Sequence, residues 1–463
     1  MRDLMLVALV AFAACSSHGV DRRGLDVCAD CKWDYGDGRT PERCDVAVVG
    51  GGVAGVAAAA QSARAGARTV LIELGFQVGG TMTSGGVNFP GLFHAWGRQV
   101  IDGVAYEIVT NCVALAGGRL PDFSRPTGKA HWNHQIKINI PLYVALAEDA
   151  LTAAGAVIRY HTAPASISIE EHGWRLELSG MGRTSVLHAK QVVDCTGNAS
   201  VAALAGFERM HAAERQPGSF VYTLDPGCDV NGLDGKSLEE EYERALKDGR
   251  LQPNDTRRGI LGFLKAKGGT GNYVVGADNS SAELRTETNM RGRASMLRMF
   301  RFVRAQKGLE NAKLVDMAAE VGVRETYRIA GEYVITGDDY VSGRVHPDSL
   351  CYAFYPVDIH RKESGVHPRH LANSVVPTVP LRALVPRGAR NFLVAGRAVS
   401  SDRVANSGLR VEAACMAMGQ VVGEAAAFAA EIAASPLELP LPELRKRLER
   451  SGAIVPQPER KEE

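Results

Sequence analysis

Asp45-Val-Ala-Val-Val49, followed at once by Gly50-Gly-Gly-Val-Ala-Gly55, is the stretch of sequence that decides the fold. The first five residues form a β-branched run that predicts a strand. An alanine-rich stretch leading to Gly66 predicts a helix, and Thr69-Val-Leu-Ile-Glu73 predicts a second strand. Strand, glycine turn, helix and strand in this order are typical of a dinucleotide-binding unit in an α/β protein.

Each glycine of this G-x-G-x-x-G turn has a physical reason. Gly50 permits the tight turn, Gly52 lets a pyrophosphate lie against bare backbone, and Gly55 lets the helix pack close to the strand. The first helical residues, Val53 and Ala54, present unpaired N–H groups and the positive end of the helix dipole to the phosphates.

Glu73 lies 23 residues after Gly50, at the carboxyl end of the second predicted strand. Its carboxylate can accept hydrogen bonds from both ribose hydroxyls, and it would repel a 2′-phosphate. The adenine half of either FAD or NAD fits this unit, so the choice between the two depends on the rest of the chain.

Further glycine-rich segments favour FAD, because a flavin ring lies far from the adenine and needs contacts from distant parts of the chain. The loop 77–86 can wrap the middle of a long cofactor, and strands at 191–198 and 391–397 each end in a glycine turn. A small-residue helix follows residues 407–410, and its first turn can point N–H groups at the flavin C2 carbonyl and N1. Asp402 is expected to accept a hydrogen bond from a ribityl hydroxyl. Besides those of the first unit, the expected cofactor contacts are Gly80, Thr81, Asp194, Gly197, Gly396, Asp402, Gly408 and Leu409.

Together with residues 322–326, 355–360 and 416–420, these motifs resemble the bacterial FAD-dependent oxidoreductase family of glutathione-reductase-type, Rossmann-like fold. The resemblance implies a doubly wound FAD-binding domain interrupted by an α+β substrate or cap domain. We expect the FAD domain at 45–90, 142–206 and 384–434, the cap at 91–141 and 207–383, and a C-terminal tail at 435–463. One position departs from the family: Pro164 stands where a residue usually meets adenine through its backbone N–H, which proline lacks.

The composition excludes several classes of protein. With 53 Lys plus Arg against 52 Asp plus Glu in 463 residues, the net charge of +1 gives no basic footprint for nucleic acid. Nine cysteines are too few for a disulfide scaffold. No redox cysteine pair lies in the 79–86 loop, which argues against a disulfide reductase, and Cys195 is expected to be a small buried residue.

The N-terminus predicts export. Residues 1–14 have the length of a signal peptide, and the following Cys15 is placed as in a bacterial lipoprotein, where a lipid on the cysteine anchors the protein to the membrane. Residues 15–44 are expected to be a linker, with Cys28 and Cys31 as unremarkable or disulfide-linked thiols. The alternative is a cytoplasmic protein with a frayed or misassigned N-terminus.

Two histidines are candidate catalytic bases. Asp358 and His360 are two residues apart, so on an extended segment they share a face and can form a base with its orienting carboxylate. The alternative for this pair is a structural brace. His94, just after the cofactor loop, is the second candidate, and a packing histidine is the alternative there.

Arg324 and Arg328 are candidate substrate ligands. At i and i+4 they would line one helix face and could hold a carboxylate by bidentate hydrogen bonds, or else pair with nearby glutamates. His131 and His134 have no third ligand in the sequence, so no metal is expected.

The sequence therefore predicts an FAD-dependent oxidoreductase that transfers a hydride between a small polar organic substrate and the flavin, with an electron acceptor that the sequence does not identify. One alternative is a membrane-associated flavin reductase of unsaturated acids, which Arg324 and Arg328 would also suit. The other is a non-catalytic flavin electron-transfer subunit. The long insertions argue against it, because an electron relay needs little covering domain.

Overall fold

The computed structural model describes residues 42–125, 130–269, 272–361, 365–366 and 368–457. The predicted signal peptide, Cys15, Cys28 and Cys31 lie outside the described residues. The helices are α1 (Val53–Arg64), α2 (Val104–Leu115), α3 (Ile140–Ala153), α4 (Ser200–Leu204), α5 (Gly235–Lys247), α6 (Gly259–Lys265), α7 (Ala282–Arg304), α8 (Gly337–Ser342), α9 (Arg403–Leu409), α10 (Glu412–Ile432) and α11 (Leu441–Arg450). Short 3₁₀ turns occur at Gly80–Met82, His131–His134, Val230–Gly232, Leu381–Leu384 and Pro436–Glu438.

The strands are β1 (Arg43–Val49), β2 (Thr69–Ile72), β3 (His94–Ala95), β4 (Arg98–Gln99), β5 (Val157–Arg159), β6 (Ala163–Glu170), β7 (Gly173–Gly180), β8 (Arg183–Asp194), β9 (Arg209–His211), β10 (Tyr222–Asp225), β11 (Lys313–Met317), β12 (Tyr327–Ile329), β13 (Ser349–Tyr352), β14 (His360–Arg361), β15 (Gly365–Val366), β16 (Thr378–Pro380) and β17 (Phe392–Val394). Strands and helices alternate along the first part of the chain, which confirms the predicted α/β class.

A parallel sheet with the spatial order β5-β2-β1-β8-β17 forms the centre of the protein. β6 and β7 extend it as an antiparallel meander on β8. In the parallel register Val49 pairs with both Ile72 and Asp194, and Asp194 also pairs with Val394. The carboxyl ends of four strands therefore stop at the same edge, where open α/β sheets bind their ligands.

The helix pair α1 and α10 packs beside this sheet through small residues. Alanine at 57–60 in α1 is fully buried, and a side chain on Gly419 or Gly423 of α10 would lie 2.2 and 2.4 Å from carbonyl oxygens of α1. These glycines let the two backbones approach closely. By length and composition α10 could cross a membrane, but its whole apolar window is buried inside the protein, as in a core helix.

A second hydrophobic cluster lies between Phe220 and Val323 and includes buried residues of α5, α6 and α7. It accounts for only part of the predicted cap domain. Segment 91–141 differs from the prediction, because Val104, Ile108 and Cys112 of α2 belong to the main core. The apolar face of α2 is covered by α1 and α3, which removes it from water.

The close contact between α1 and α10 predicts that Gly419→Ala destabilises the protein. A Cβ at this position would lie 2.2 Å from the Ala54 carbonyl oxygen, so the helices must separate. We expect the free energy of unfolding to fall by about 1–3 kcal/mol, as for other overpacked cores, and urea unfolding measures it.

Gly232→Ala is the matched control, because its Cβ would meet nothing within 4 Å. We expect it to stay within about 0.5 kcal/mol of the wild type. A stabilised Gly419→Ala variant, which helix propensity alone would give, would contradict the packing argument.

Candidate functional site

One cleft of about 920 Å³ opens at the edge where the parallel strands end. Its walls come from the β1–α1 turn, the 77–85 loop, residues 195–198, Gly396 with Arg397, and the start of α10. Residues 320–324 and the segment around Asp358 complete it from the other side. The volume is at the upper end of the range of about 300–1,000 Å³ that is usual for small-molecule and cofactor sites.

Of the three glycines in the G-x-G-x-x-G turn, the packing requires two, Gly50 and Gly55, and leaves open space at the third, Gly52. Gly50 has a φ of +100°, and a Cβ there would lie 2.5 Å from the Cys195 carbonyl oxygen. A Cβ on Gly52 would meet nothing within 4 Å, because it would point into open space at the cleft wall that Val53 and Ala54 also line. Gly55 does not line the cleft; a Cβ there would lie 1.8 Å from the Gly50 carbonyl oxygen, so it permits the close packing that the sequence predicts.

Glu73 follows β2 directly and lines the cleft. Its two carboxylate oxygens accept hydrogen bonds from the backbone N–H groups of Gly51 and Gly75. These bonds fix the carboxylate beside the glycine turn, and each oxygen keeps a lone pair for a further donor. Pro164 also lines the cleft, next to Ala163, which does carry a backbone N–H.

Arg397 connects the loops around the cleft and was not singled out from the sequence. Its Nε donates to the Gly197 carbonyl oxygen, and its Nη atoms donate to Thr81, Val323, Asn198 and Asn279. Burial lowers its pKa to about 10, so it stays charged at neutral pH. Four of the predicted cofactor residues, Gly80, Thr81, Gly197 and Gly396, line the cleft around it.

Asp194 and Asp402 do not line the cleft, which corrects the two cofactor contacts predicted from the sequence. Asp194 is fully buried and accepts hydrogen bonds from Thr196 and from the backbone N–H of Ala202. Asp402 is the N-cap of α9 and accepts from the backbone N–H of Ala405 and of Gly337. Both carboxylates brace local turns instead.

Gly408 and Leu409 are likewise buried at the end of α9 and face away from the cleft. A Cβ on Gly408 would lie 2.0 Å from the Tyr340 hydroxyl oxygen. The long helix begins at Glu412, after the 407–410 segment as the sequence predicts, and Val411 is extended and caps it. Arg410, Val411 and Glu412 therefore line the cleft at this point.

Asp358 and His360 share a wall of the cleft, as the sequence predicts. His360 Nε2 lies 3.0 Å from Asp358 Oδ2, and His360 Nδ1 lies 2.5 Å from the hydroxyl oxygen of Tyr273. Arg410 Nη2 donates to the same Asp358 oxygen over 3.1 Å. Only 14% of the His360 side chain and 17% of the Asp358 side chain are exposed.

The electrostatics of this pair leave the histidine neutral and the carboxylate ionised. Burial lowers the pKa of His360 to about 4, although Asp358 acts in the opposite direction. Burial raises the pKa of Asp358, but the hydrogen bond from His360 and the charge of Arg410 outweigh it and bring that pKa to about 2. A neutral imidazole at pH 7 can accept a proton.

Arg324 and Arg328 are not on one helix face: Arg324 lies in a loop and Arg328 in β12. Arg328 is buried outside the cleft, and its Nε donates to the Ser401 carbonyl oxygen over 2.9 Å. Arg324 lines the cleft and donates to the Pro217 carbonyl oxygen and the Ser219 hydroxyl. Burial, and after it the charge of Arg410, lowers the pKa of Arg324 to about 10.

His94 lies outside the cleft, which corrects its prediction as a catalytic residue. Its ring stacks on Phe123 at a centroid distance of 3.7 Å. Burial lowers its pKa to about 4, as for His360, but no carboxylate in the described part of the chain orients it. Burial also raises the pKa of Cys195 well above its usual range, which fits a buried thiol and not a redox thiolate. Among the described residues, no three His, Cys, Asp or Glu side chains are grouped to hold a metal ion.

Comparisons with known proteins bear on this cleft. The sequence model of the family described as FAD dependent oxidoreductase matches residues 45–448. No curated protein sequence shows significant similarity to the chain.

Among solved structures, a geranylgeranyl bacteriochlorophyll reductase-like protein from Thermoplasma acidophilum is 13% identical with a TM-score of 0.42, over 88% of this chain and 84% of that chain. The myxobacterial chondrochloren halogenase, a variant of FAD-dependent halogenases, is 13% identical with a TM-score of 0.41, over 89% and 79%. An anhydrotetracycline hydroxylase from Streptomyces rimosus is 15% identical with a TM-score of 0.29; the match spans 39% of this chain and 37% of the hydroxylase.

The family match covers most of the chain and includes the strands and turns that form the cleft. This protein therefore belongs to the FAD-dependent oxidoreductase family and is an enzyme with FAD as its cofactor.

Proposed function

We propose that this enzyme oxidises a small alcohol or amine that carries a carboxylate, passing a hydride to FAD while His360 accepts the proton. The observation that carries the proposal is the meeting, in one cleft, of a neutral histidine oriented by an ionised aspartate and an arginine without a carboxylate partner. Among the described residues no carboxylate oxygen lies within ion-pair distance of Arg324, so its charge is available to a ligand.

The residues at the strand edge fit FAD. The open space at Gly52 leaves room for a pyrophosphate against the backbone, and the fixed Glu73 carboxylate offers acceptors to ribose hydroxyls. Gly80, Thr81, Gly197 and Gly396 would hold the middle of the cofactor. When bound, the flavin of FAD supplies the hydride acceptor.

His360 has a defined proton arrangement. Because Asp358 is ionised, the Nε2 of His360 carries the hydrogen and donates it, which leaves the lone pair on Nδ1. The Tyr273 hydroxyl donates to that lone pair. To let a substrate proton reach Nδ1, Tyr273 must either pass the proton on or rotate away from His360. Once His360 is protonated, Asp358 stabilises the imidazolium.

Arg324 gives the cleft its preference for an anion. Two of its N–H groups are used by Pro217 and Ser219, and the remaining donors suit a carboxylate. Arg410 differs from it, because Arg410 is already paired with Asp358. A substrate carboxylate at Arg324 would be held in the same cleft as His360.

The direction of the reaction follows from the pKa of His360. Oxidation needs an unprotonated base, and a pKa of about 4 provides one at neutral pH. Reduction of an unsaturated acid would need His360 to hold a proton, which the same burial disfavours. The oxidative reading is therefore the better supported one, and a carrier without catalysis would have no use for an oriented histidine.

Gly52→Asp tests the cofactor assignment. The backbone of Gly52 (φ −63°) accepts any residue, and a Cβ there would meet no protein atom within 4 Å, so the variant should fold. Its carboxylate would occupy the space proposed for the pyrophosphate, and we expect the purified protein to lose its flavin absorption. Gly232→Asp is the matched control; full flavin occupancy in Gly52→Asp would refute the assignment.

His360→Gln tests the proton acceptor. With a panel of small hydroxy acids and amino acids, we expect anaerobic flavin reduction by the best substrate to slow by about 10²–10⁴-fold, the usual contribution of a general base. In the wild type the rate should stay constant at neutral pH and fall as the pH drops through about 4, where His360 becomes protonated. That acid limb should disappear in His360→Gln. His94→Gln, at a half-buried histidine outside the cleft, should behave like the wild type. Equal losses in both variants would argue against the proposal.

Arg324→Met tests the substrate class. Losing a charge-assisted pair worth about 1.5–3 kcal/mol should weaken binding of the carboxylate substrate by about 10–150-fold. The variant should also lose the preference for the free acid over its methyl ester, because the ester carries no charge for Arg324 to bind. Arg301→Met, at an exposed position of α7, is the control. Steady-state KM values for the acid and for its methyl ester measure the effect. A wild-type enzyme that already accepts acid and ester equally would contradict the role of Arg324.

A further inference from the structure

The start of α10 presents unused hydrogen-bond donors to the cleft. Val411 caps the helix and Glu412 is its first residue. The N–H of Ala413 donates to the Pro90 carbonyl oxygen over 2.6 Å, and the N–H of Cys415 makes the first intrahelical bond, to Val411. The N–H groups of Glu412 and Ala414 have no partner among the described residues, so the first turn of α10, which lines the cleft at Glu412 and Cys415, keeps two unused backbone donors.

Glu412 adds a carboxyl group at the same place. The residue is 8% exposed and lines the cleft, and neither of its carboxyl oxygens has a hydrogen-bond partner in the described structure. The charged or titratable groups around it are Arg410, Tyr143 and Cys415. Burial raises the pKa of Glu412 well above its usual range in spite of the Arg410 charge, so burial favours the neutral acid over the carboxylate.

A purely structural role does not account for Glu412. Leaving a buried polar group without a partner costs about 1–3 kcal/mol, and no described residue offsets that cost. Glu424, a second largely buried glutamate on α10, differs from Glu412. It lies outside the cleft and accepts a 2.7 Å hydrogen bond from Gln61. One buried glutamate of this helix is satisfied by the protein, and the other faces the cleft unsatisfied.

Glu412 lies on the wall of the cleft beside Asp358 and His360, where we propose that the reaction takes place. Arg410, two residues earlier, is paired with Asp358. A Cβ on Gly91 would touch both Val411 and Tyr355, so the start of α10 lies against the segment that leads to Asp358. The ligand group at this wall would therefore be the flavin and not the adenine of FAD.

We propose that Glu412 is a neutral carboxylic acid that donates a hydrogen bond to the flavin of FAD, next to the free N–H groups of α10. The Glu412 carboxyl and the two free N–H groups of α10 are three donors in one place, and they match the edge of the flavin that is rich in acceptor atoms. Reduction adds negative charge to the flavin, and preorganised donors stabilise charge that develops in a site closed to water. An ionised glutamate would repel that charge, whereas a buried neutral acid donates to it. Glu412 thus favours the reduced cofactor.

The test compares Glu412→Leu with Glu412→Gln, without substrate, so that its outcome does not depend on what the enzyme oxidises. Glu412→Leu removes the donor, and we expect reduced FAD to bind at least tenfold less tightly relative to oxidised FAD. This change corresponds to a midpoint potential about 30 mV more negative for a two-electron couple. Glu412→Gln keeps a neutral donor of the same size and should stay within about threefold of the wild type. Spectroelectrochemistry of the bound flavin measures both variants.

The thermal stability of the FAD-free proteins separates a cofactor contact from a structural one. Glu412→Leu should be at least as stable as the wild type without FAD, because it replaces an unsatisfied buried carboxyl by an apolar group. Its gain in melting temperature on adding FAD should be smaller. Glu424→Leu is the control: it removes the acceptor of the Gln61 side-chain nitrogen, so it should lower the stability and leave the potential unchanged.

Several results would overturn the proposal. An unchanged potential in Glu412→Leu would show that Glu412 does not contact the flavin, and a destabilised FAD-free Glu412→Leu would show a structural role. If Glu412→Leu loses FAD altogether, restored occupancy in Glu412→Gln supports the neutral donor and loss in both variants refutes it. Infrared difference spectra of wild type against Glu412→Gln should contain the carbonyl stretch of a protonated acid; an ionised carboxylate there would also refute it.

Discussion

The structure depends on the common end point of β1, β2, β8 and β17. The parallel register brings Val49, Ile72, Asp194 and Val394 to one edge, so that the turns after them meet there. At this edge the turns are too close for a side chain on Gly50, whose Cβ would lie 2.5 Å from the Cys195 carbonyl oxygen. This wall of the cleft is therefore formed by backbone and not by side chains. Free backbone N–H groups and the N-terminus of a helix are suited to bind the phosphates of an elongated cofactor.

Five arginines line the cleft, and for three of them, Arg397, Arg410 and Arg324, the partners give different roles. Arg397 is surrounded by neutral acceptors from four parts of the chain and holds the walls together. Arg410 is paired with Asp358, which keeps that carboxylate ionised. Arg324 has neutral partners only and no carboxylate among the described residues. Removing a charge from water is expensive unless it is paired. Arg397 donates to five neutral acceptors, whereas Arg324 donates to two, so of these three arginines Arg324 is the one that keeps donors for an anionic substrate.

The sequence predicts local geometry well and distant partners poorly. The strand, turn and helix around Gly50 follow from glycine chemistry and hydrophobic pattern over about 30 residues, and they appear as predicted. Asp194 ends β8 and Asp402 caps α9. Their carboxylates accept hydrogen bonds from the backbone N–H groups of Ala202 and Ala405, in the helices that follow, and do not reach the cleft. Tyr273, Arg397 and Glu412 were missed, because each acquires its role from residues more than 70 positions away or from burial that the fold creates. For Arg397 a signal was present, since it directly follows the glycine turn after β17.

Burial acts on His360 and Glu412 in opposite chemical senses. Removing water disfavours the charged form of any group, so it lowers the pKa of the histidine and raises the pKa of the glutamate. The same cause therefore favours a base without its proton and an acid with its proton on the walls of one cleft. Burial favours the neutral form of His94 too, yet His94 stacks on Phe123, and no carboxylate of the described residues pairs with it. A lowered pKa alone therefore does not mark a catalytic histidine; the orienting Asp358 and the open wall of the cleft distinguish His360.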